Sequence, residues 1–374
     1  MKDNIENKLI RSAIEIFSTL PYDEVSVLQI TSHAKVSNGV FYNYFSSKRD
    51  IFSALVNSLL DKHKIKFEVI DGANVEHRLK KFIELNYEVI ENEYNLVRLF
   101  REAQYTFIEY ELAIRDIYIK TLKKVYKCEI SEYQYVIVMA AIRYTSIAYF
   151  RLNEKLDCEF LVRFILEGFN EKSQCDLNKI IEASDCFLKT PLTLSKKMQI
   201  VRKATELFGK MGYFNVKIEV IMKELGYSTG SFYHCFQNKE EVLKVILELF
   251  DSQIEEIVYE NTFKYEDKFT NTLKMLYLIQ SYFSITPEQY RIIRDAEFHF
   301  KTFSERYDRI KRLFMRVLET TSYSIEEKLL ISCIMVGISH YAGIDMFYTK
   351  LIKNSDTLYK KVLKFLESGT KNKL

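Results

Sequence analysis

The sequence predicts an all-α protein built from two copies of one unit, and three observations support this prediction. The 374 residues include only three prolines and ten glycines, too few for the frequent turns of a sheet-rich fold. Apolar side chains recur at steps of three and four residues, which is typical of amphipathic helices. In addition, the first part of the chain is repeated about 190 residues later, and such self-similarity is typical of a duplicated structural unit.

Two alignments of the chain with itself define this repeat. A shift of 191 positions places residues 8–54 on residues 199–245 without a gap, and 13 of the 47 positions are identical, against roughly three expected by chance. A shift of 193 continues the match into the middle of each copy. The pairs there are Arg98 with Arg291, Arg101 with Arg294, and Glu102 with Asp295.

The boundary between the copies is expected near Pro191, because proline can begin a helix but not lie inside one. Four domains follow from this boundary and from the length of the repeated segment. They are a first head (1–60), a first helical body with its linker (61–190), a second head (191–251) and a second helical body (252–374).

The composition excludes several classes of protein. Apolar residues make up 48% and charged residues 28% of the chain, as in soluble globular proteins. The N-terminus lacks the apolar core of a signal peptide, and the longest apolar stretch, Leu329 to Ile338, is about half a membrane span. The six cysteines form no CxxC pair, and no GxSxG, HExxH or P-loop occurs. We therefore expect a cytoplasmic protein that is not an enzyme, with no membrane partner, metal or cofactor.

Each copy begins with the pattern of a three-helix head. Apolar residues recur on one helix face between positions 9 and 20, and Pro21 ends that helix, as Gly212 does in the second copy. Ser26 precedes a short second helix, and Ser37 is placed to cap a third. Two short helices joined by a tight turn predict a helix-turn-helix.

The third helix has an apolar core face and a polar outer face. Amides, hydroxyls and an imidazole on the outer face suit the edges of DNA bases, and a tyrosine hydroxyl can reach a phosphate. A glycine inside so short a helix costs about 1 kcal/mol relative to alanine, which favours close approach of the backbone to a partner surface. The outer faces comprise Asn38, Gly39, Tyr42 and Asn43 in the first copy and Thr229, Gly230, Tyr233 and His234 in the second.

A fourth helix then starts at Ser47 in the first copy and at Asn238 in the second. Exposed N–H groups at such a start, together with the adjacent Lys48 or Lys239, suit a DNA phosphate. Over these 50 or so residues both copies follow the pattern R–A–lF–G–tv–Ia–aGvs–GtlY–F–sK–L, which resembles the TetR family of transcriptional repressors.

The resemblance implies that both heads bind DNA, although neither head follows the family pattern fully. Lys35 and Pro21 stand where glycines are usual in the first head, and Lys217 replaces a capping threonine in the second. The two heads are therefore not expected to be equivalent. The candidate DNA contacts are Ser26, Ser37, Asn38, Gly39, Val40, Tyr42, Asn43 and Lys48 in the first head, and Lys217, Ser228, Thr229, Gly230, Ser231, Tyr233, His234 and Lys239 in the second.

The bodies contain two helical stretches, 135–149 and 328–347, that are apolar on most of their circumference. Such a helix is buried, often against another subunit. Proteins similar to the TetR family pair their last two helices in a four-helix dimer interface and enclose an effector among the middle helices. Here the two copies could supply both sides of that interface. Polar residues in the apolar helices are candidate effector contacts, although paired structural groups are the commoner case: Arg98, Arg101, Arg143, His299 and His340.

The expected function is that of a repressor that binds a double-stranded DNA operator and is released by a small-molecule effector. One chain would act as an internal pseudodimer, with a homodimer of chains left open. The net charge of +3 decides little by itself, but residues 195–250 carry nine basic and six acidic side chains, against six of each in 1–60. The alternative is a helical ligand- or partner-binding protein in which one or both heads have lost DNA binding.

Overall fold

The computed structural model of the protein describes residues 4–152, 157–182, 195–262, 267–285, 287–299 and 303–371. Within these ranges every regular element is helical and there is no strand, so the all-α prediction is confirmed. The chain forms two compact units, Met1–Ile130 and Ser131–Leu374. The boundary expected near Pro191 lies outside the described residues.

Unit 1 contains the first head and the early helices of the first body. α1 ends at Phe17, earlier than the sequence predicted, and beyond it the N–H of Thr19 donates to the oxygen of Ile16, only three residues back. The helices are α1 (Ile5–Phe17), α2 (Val27–Ala34), α3 (Asn38–Phe41), α4 (Lys48–Glu68), α5 (Val75–Asn92), α6 (Tyr94–Thr106) and α7 (Ile108–Tyr126).

Unit 2 contains the end of the first copy and all described parts of the second. The first-copy helices are α8 (Glu132–Leu152), α9 (Cys158–Glu167) and α10 (Leu177–Glu182), and the second head has α11 (Lys196–Met211), α12 (Ile218–Glu224), α13 (Gly230–Tyr233) and α14 (Lys239–Asn261). The second body has α15 (Lys268–Ile285), α16 (Pro287–His299), α17 (Phe303–Val317), α18 (Ile325–Gly343), which continues as a π-helical turn (Ile344–Tyr348), and α19 (Ser355–Ser368).

The core of unit 2 joins the two copies, because α8 packs against α18 and α9 against α19. α8 is fully buried from Tyr135 to Ile142, and α18 is buried from Leu330 to Ser339. The two helices approach so closely that a Cβ on Gly337 would lie 2.6 Å from the carbonyl oxygen of Ala140. The burial predicted from their apolar circumference is therefore confirmed. It also explains why the chain divides after residue 130 rather than between its two copies.

The C-terminal ends of α9 and α19 meet in a reciprocal junction. The N–H of Phe169 donates to the oxygen of Leu366 at 2.7 Å, and the N–H of Thr370 donates to the oxygen of Ile165 at 2.9 Å. Gly168 and Gly369 hold this geometry with φ angles of 62° and 63°. A Cβ on Gly168 would lie 2.3 Å from a carbonyl oxygen, and one on Gly369 would lie 2.1 Å from backbone atoms. The junction therefore requires glycine at both positions, for backbone conformation and for space.

One helical segment, Ile325–Tyr348, is long and apolar enough to cross a membrane by length and composition. However, 78% of its apolar window is buried inside the protein, mostly against α8 and α17. This segment is therefore a core helix.

Candidate nucleic-acid interface

The two heads are built around equivalent apolar cores. In the first head, Leu9 and Phe17 of α1 and Ile30 of α2 are buried together with Phe41 and Phe52. The same positions of the second head hold buried apolar residues, which explains how sequences that differ on the surface form the same head. These are Ile200, Phe208, Ile221, Phe232 and Leu243.

The start of the second helix differs between the two heads. In the first head the Ser26 hydroxyl accepts from the N–H of Gln29 at 3.2 Å, and the Gln29 side chain accepts from the N–H of Ser26 at 2.6 Å. This capping box stabilises the start of α2. In the second head Lys217 occupies the equivalent position and makes no side-chain cap.

The turn between the two short helices requires a left-handed residue in both heads. Lys35 has a φ of 56° and Gly226 a φ of 71°. A non-glycine residue in this region is strained, so the first head forms the turn despite its lysine. No atom lies within 4 Å of a Cβ built on Gly226, so glycine serves only the backbone conformation there.

This gives a stability prediction with a matched control in the same head. Gly226→Ala should lower the free energy of unfolding by about 1 kcal/mol, because alanine disfavours positive φ. Gly230→Ala should leave it unchanged or raise it by up to about 1 kcal/mol, because Gly230 is helical and its Cβ would meet open space. Urea unfolding followed by circular dichroism measures both. Equal losses for the two variants would contradict the assigned turn.

The third helix of each head, which we call the recognition helix, is short and presents one tyrosine. α3 and α13 have only four residues, not the longer helix expected up to Phe45, because the chain turns after Tyr42 and Tyr233 through mixed three- and four-residue hydrogen bonds. Tyr42 is 59% exposed and Tyr233 is 58% exposed. Each ring packs edge-on against the buried phenylalanine that precedes it, at 5.3 Å and 5.4 Å. The two heads thus present the same aromatic group in the same way.

Most of the candidate DNA contacts lie on the surface. Ser37 occupies the N-cap of α3, but its side chain makes no capping hydrogen bond, unlike the sequence-based expectation. The exposed candidates are Ser26, Ser37, Asn38, Gly39, Tyr42, Asn43, Lys217, Ser228, Gly230, Tyr233 and His234. The half-buried candidates are Val40, Lys48, Thr229, Ser231 and Lys239.

The two lysines at the starts of α4 and α14 bind the backbone of their own head. Lys48 Nζ donates to the oxygen of Tyr22 at 2.7 Å, and burial lowers the pKa of this lysine. Lys239 Nζ donates to the oxygens of Tyr213 and Val216 at 2.9 and 3.0 Å. Each ammonium also lies above the ring of the same tyrosine, at 4.2 and 4.3 Å. A bond to DNA phosphate remains a prediction for both lysines, beside this structural role.

A carboxylate from the body accepts a hydrogen bond from the backbone N–H of the same tyrosine. The N–H of Tyr22 donates to Glu102 Oε1 at 2.6 Å, and the N–H of Tyr213 donates to Asp295 Oδ2 at 3.1 Å. These carboxylates belong to α6 and α16. We call the two arrangements the clasps, Glu102–Tyr22–Lys48 and Asp295–Tyr213–Lys239. Each clasp connects a body helix to the start of α4 or α14 through the backbone of one tyrosine of the head.

The candidate effector contacts lie on α6, α8, α16 and α18. Arg98 is exposed and Arg101 is half-buried on α6. Arg143 and His340 approach one another around Tyr341, whose ring lies 5.4 Å from the guanidinium and 5.6 Å from the imidazole. These two residues therefore lie at the contact of α8 with α18. The side chain of His299 lies outside the described residues.

Sequence reasoning missed two features. Gln104, Glu111 and Arg115 are buried polar residues of α6 and α7, and the Gln104 amide donates to the Glu111 carboxylate. The four-residue spacing of Glu111 and Arg115 within an apolar helix was the available signal. In the first head, Leu28 of α2 is exposed, and the second head has exposed Glu219 at the equivalent position.

The comparisons with known proteins place both heads in one family. The sequence model described as bacterial regulatory proteins, tetR family, matches residues 9–55 and 200–246. The chain is 36% identical over 58 residues to the HTH-type transcriptional regulator HbdR of Aromatoleum sp. (strain CIB), covering 16% of this chain and 25% of that protein. It is 29% identical over 90 residues to the fatty acid metabolism regulator protein of Bacillus subtilis (strain 168), covering 24% and 45%.

These matches are partial in length, because the chain spans less than half of each of these curated relatives. Among solved structures, it is similar to a putative TetR-family transcriptional regulator from Syntrophomonas wolfei str. Goettingen. That likeness has 20% identity and a TM-score of 0.39, and it covers 46% of this chain and 92% of the other.

Proposed function

Because the chain belongs to the tetR family as a tandem duplication, we propose that it is a sequence-specific DNA-binding transcriptional regulator that works in the cytoplasm and is not an enzyme. In this proposal one chain acts as an internal pseudodimer on a double-stranded operator. It represses transcription until a small molecule binds a body and releases the heads.

The observation that carries the DNA-binding proposal is the glycine in each recognition helix. Gly39 and Gly230 have helical backbones, so neither is needed for a positive φ. A Cβ would meet nothing within 4 Å at Gly230 and only the Ser37 hydroxyl at 4.0 Å at Gly39. The fold therefore does not require glycine at either position, yet both copies have it where it weakens a helix. Close approach to the floor of a DNA groove accounts for glycine there.

The intramolecular arrangement is supported by the core of unit 2. Helices α8 and α9 of the first copy pack against α18 and α19 of the second. Apart from the short α10, these are the penultimate and last helices of each copy, which in similar proteins form the dimer interface. A second chain is therefore not required to cover them. Two heads of one pseudodimer would bind half-sites about 34–36 Å apart on the DNA.

Release by an effector is supported by the clasps. A ligand that shifts α6 or α16 moves the carboxylate that holds Tyr22 or Tyr213, and with it the head. A change of a few ångströms in the separation of the recognition helices is enough to prevent simultaneous binding of both half-sites.

Two measurements on the purified chain test the proposal together. Light scattering at micromolar concentration should give the mass of one chain, 44.4 kDa, and gel-shift titration against the DNA upstream of its own gene should give a complex with one chain per operator. A stable dimer that alone binds DNA would contradict the internal pseudodimer.

The second candidate function, binding of a ligand or partner without DNA, is favoured by the neutral charge of the first head and by buried Glu111 and Arg115. This second function would replace the proposed one if Tyr42→Ala and Tyr233→Ala were both without effect on DNA binding.

A further inference from the structure

The second head carries two exposed lysines that the candidate DNA contacts do not include. Lys196 and Lys197 both lie on α11. Neither ammonium is within ion-pair distance of a carboxylate among the residues that the structure describes. Two other lysines of the same helix, Lys203 and Lys210, each bind Glu206 at 2.8 Å. The charges of the first pair are therefore available to an outside partner.

Aromatic rings hold both ammonium groups close to the recognition helix α13. The Lys196 ammonium lies 4.6 Å from the ring centroid of Tyr227, which belongs to the turn that leads into α13. The Lys197 ammonium lies 5.0 Å from the ring centroid of Phe236. That ring packs on Phe232 of α13, with 5.6 Å between the centroids. A surface that approaches α13 from outside therefore also approaches these two positive charges.

The contacts with the rings restrict the lysines before any partner binds. The Tyr227 hydroxyl is bonded to the Gln199 side chain at 2.8 Å, so its ring is itself held against α11. An ammonium over the face of a ring is attracted to it, and it has three hydrogens that can be donated to a partner. A side chain that is already restricted loses less entropy when it forms a bond to a ligand.

The first head has no positive charge at the equivalent positions. The helix caps Asn4 and Ser195 are 191 positions apart, so α1 and α11 begin at corresponding residues. Ile5 and Glu6 therefore stand in the places of the two lysines. Without this pair, residues 195–250 would carry seven basic and six acidic side chains instead of nine and six. Most of the charge difference between the heads thus lies at this one place.

We propose that Lys196 and Lys197 bind backbone phosphates of DNA beside the groove that α13 enters, and that they give the second head phosphate contacts which the first head lacks. The inference rests on the proposed function, because it requires α13 to enter a DNA groove. Phosphodiesters supply the negative charge and the acceptor oxygens that an ammonium needs. Such contacts carry no base information, so they raise the affinity of the second head for every DNA sequence.

The test uses the full chain and an operator selected from random DNA, in gel-shift titrations from about 50 to about 200 mM salt. The double variant Lys196→Gln with Lys197→Gln removes both charges and should reduce the slope of log K against log salt by about two units. Over this fourfold range of salt, its affinity should fall about 16-fold less than that of the wild-type chain. Lys196→Arg with Lys197→Arg keeps both charges and should retain the wild-type slope.

A single substitution at the other end of α11 is the matched control. Lys210→Gln removes one charge, as Lys196→Gln does, but lies 14 residues further along the helix, which corresponds to about 21 Å. Salt screens a charge at that distance, and Glu206 keeps its bond to Lys203. We expect a wild-type slope for this control and a slope about one unit lower for Lys196→Gln.

Ethylation interference locates the contacts on the DNA. Ethylated phosphates in the second half-site should weaken binding of the wild-type chain but not of the double glutamine variant. Equal slopes for these two proteins would overturn the inference and leave the proposed function intact. An equal loss of slope in Lys210→Gln would show a general effect of charge and would also overturn it. A wild-type chain that binds no DNA would instead overturn the proposed function, and this inference with it.

Discussion

Gly168→Ala is expected to destabilise unit 2 by roughly 3 kcal/mol. Two costs combine at this position. The residue has a φ of 62°, which alanine disfavours, and its Cβ would lie 2.3 Å from the oxygen of Phe365 and 2.5 Å from that of Leu366. Both neighbours are backbone atoms of α19, so relief requires the junction of α9 with α19 to separate.

The same reasoning applies to Gly369→Ala, whose Cβ would meet the backbone of Leu166 and Glu167 at 2.1 Å. Gly226→Ala is the matched control, because it introduces a methyl group at a similar φ of 71° in the same unit but meets no neighbour. Urea unfolding should show a loss for Gly168→Ala about three times that of the control. If the two losses were equal, the backbone hydrogen bonds between α9 and α19 would not exist in solution.

Local signals were enough to predict the heads and the central helices. The helix starts at Ser26, Ser47 and Asn238 follow from capping chemistry. The burial of α8 and α18 follows from a circumference that is apolar almost everywhere. Each of these signals depends on residues within a few turns of one another, which is why a single sequence is sufficient to identify them.

The junction and the clasps could not be predicted because they involve the backbone. Gly168 and Gly369 are 201 positions apart, a spacing that neither alignment of the copies matches, and each alone indicates only the end of a helix. Glu102 and Asp295 align with one another, but their partner is a peptide N–H, which any residue except proline provides. A hydrogen bond between the side chains of Thr31 and Asn38 also crosses the helix-turn-helix turn, and it depends on side-chain rotations that spacing does not encode.

Lys239→Ala is expected to weaken DNA binding more than any other lysine substitution, and to do so for every DNA sequence alike. The second head is the more basic one, and a lysine that contacts phosphate contributes about one unit to the slope of log K against log salt. The structure adds a second expected effect. Removing the ammonium leaves the carbonyl oxygens of buried Tyr213 and Val216 without a donor they now use, so the variant should also lose roughly 1–3 kcal/mol of stability.

A variant on the other side of the clasp separates these two effects. Asp295→Ala removes the acceptor for the N–H of Tyr213 and leaves every positive charge of the second head in place. If Lys239 contacts phosphate, both variants weaken binding but only Lys239→Ala reduces the salt slope. If Lys239 acts only through the clasp, both weaken binding and the slopes stay equal to that of the wild-type chain.

Lys48→Ala measured on the same operator over the same salt series completes the comparison. It should weaken binding less than Lys239→Ala, because the first head carries equal numbers of basic and acidic residues and therefore attracts the DNA less strongly. The first clasp also uses one lysine hydrogen bond where the second uses two, so the structural loss should be smaller as well. A larger loss of affinity for Lys48→Ala would show that the first head, despite its neutral charge, supplies most of the binding energy.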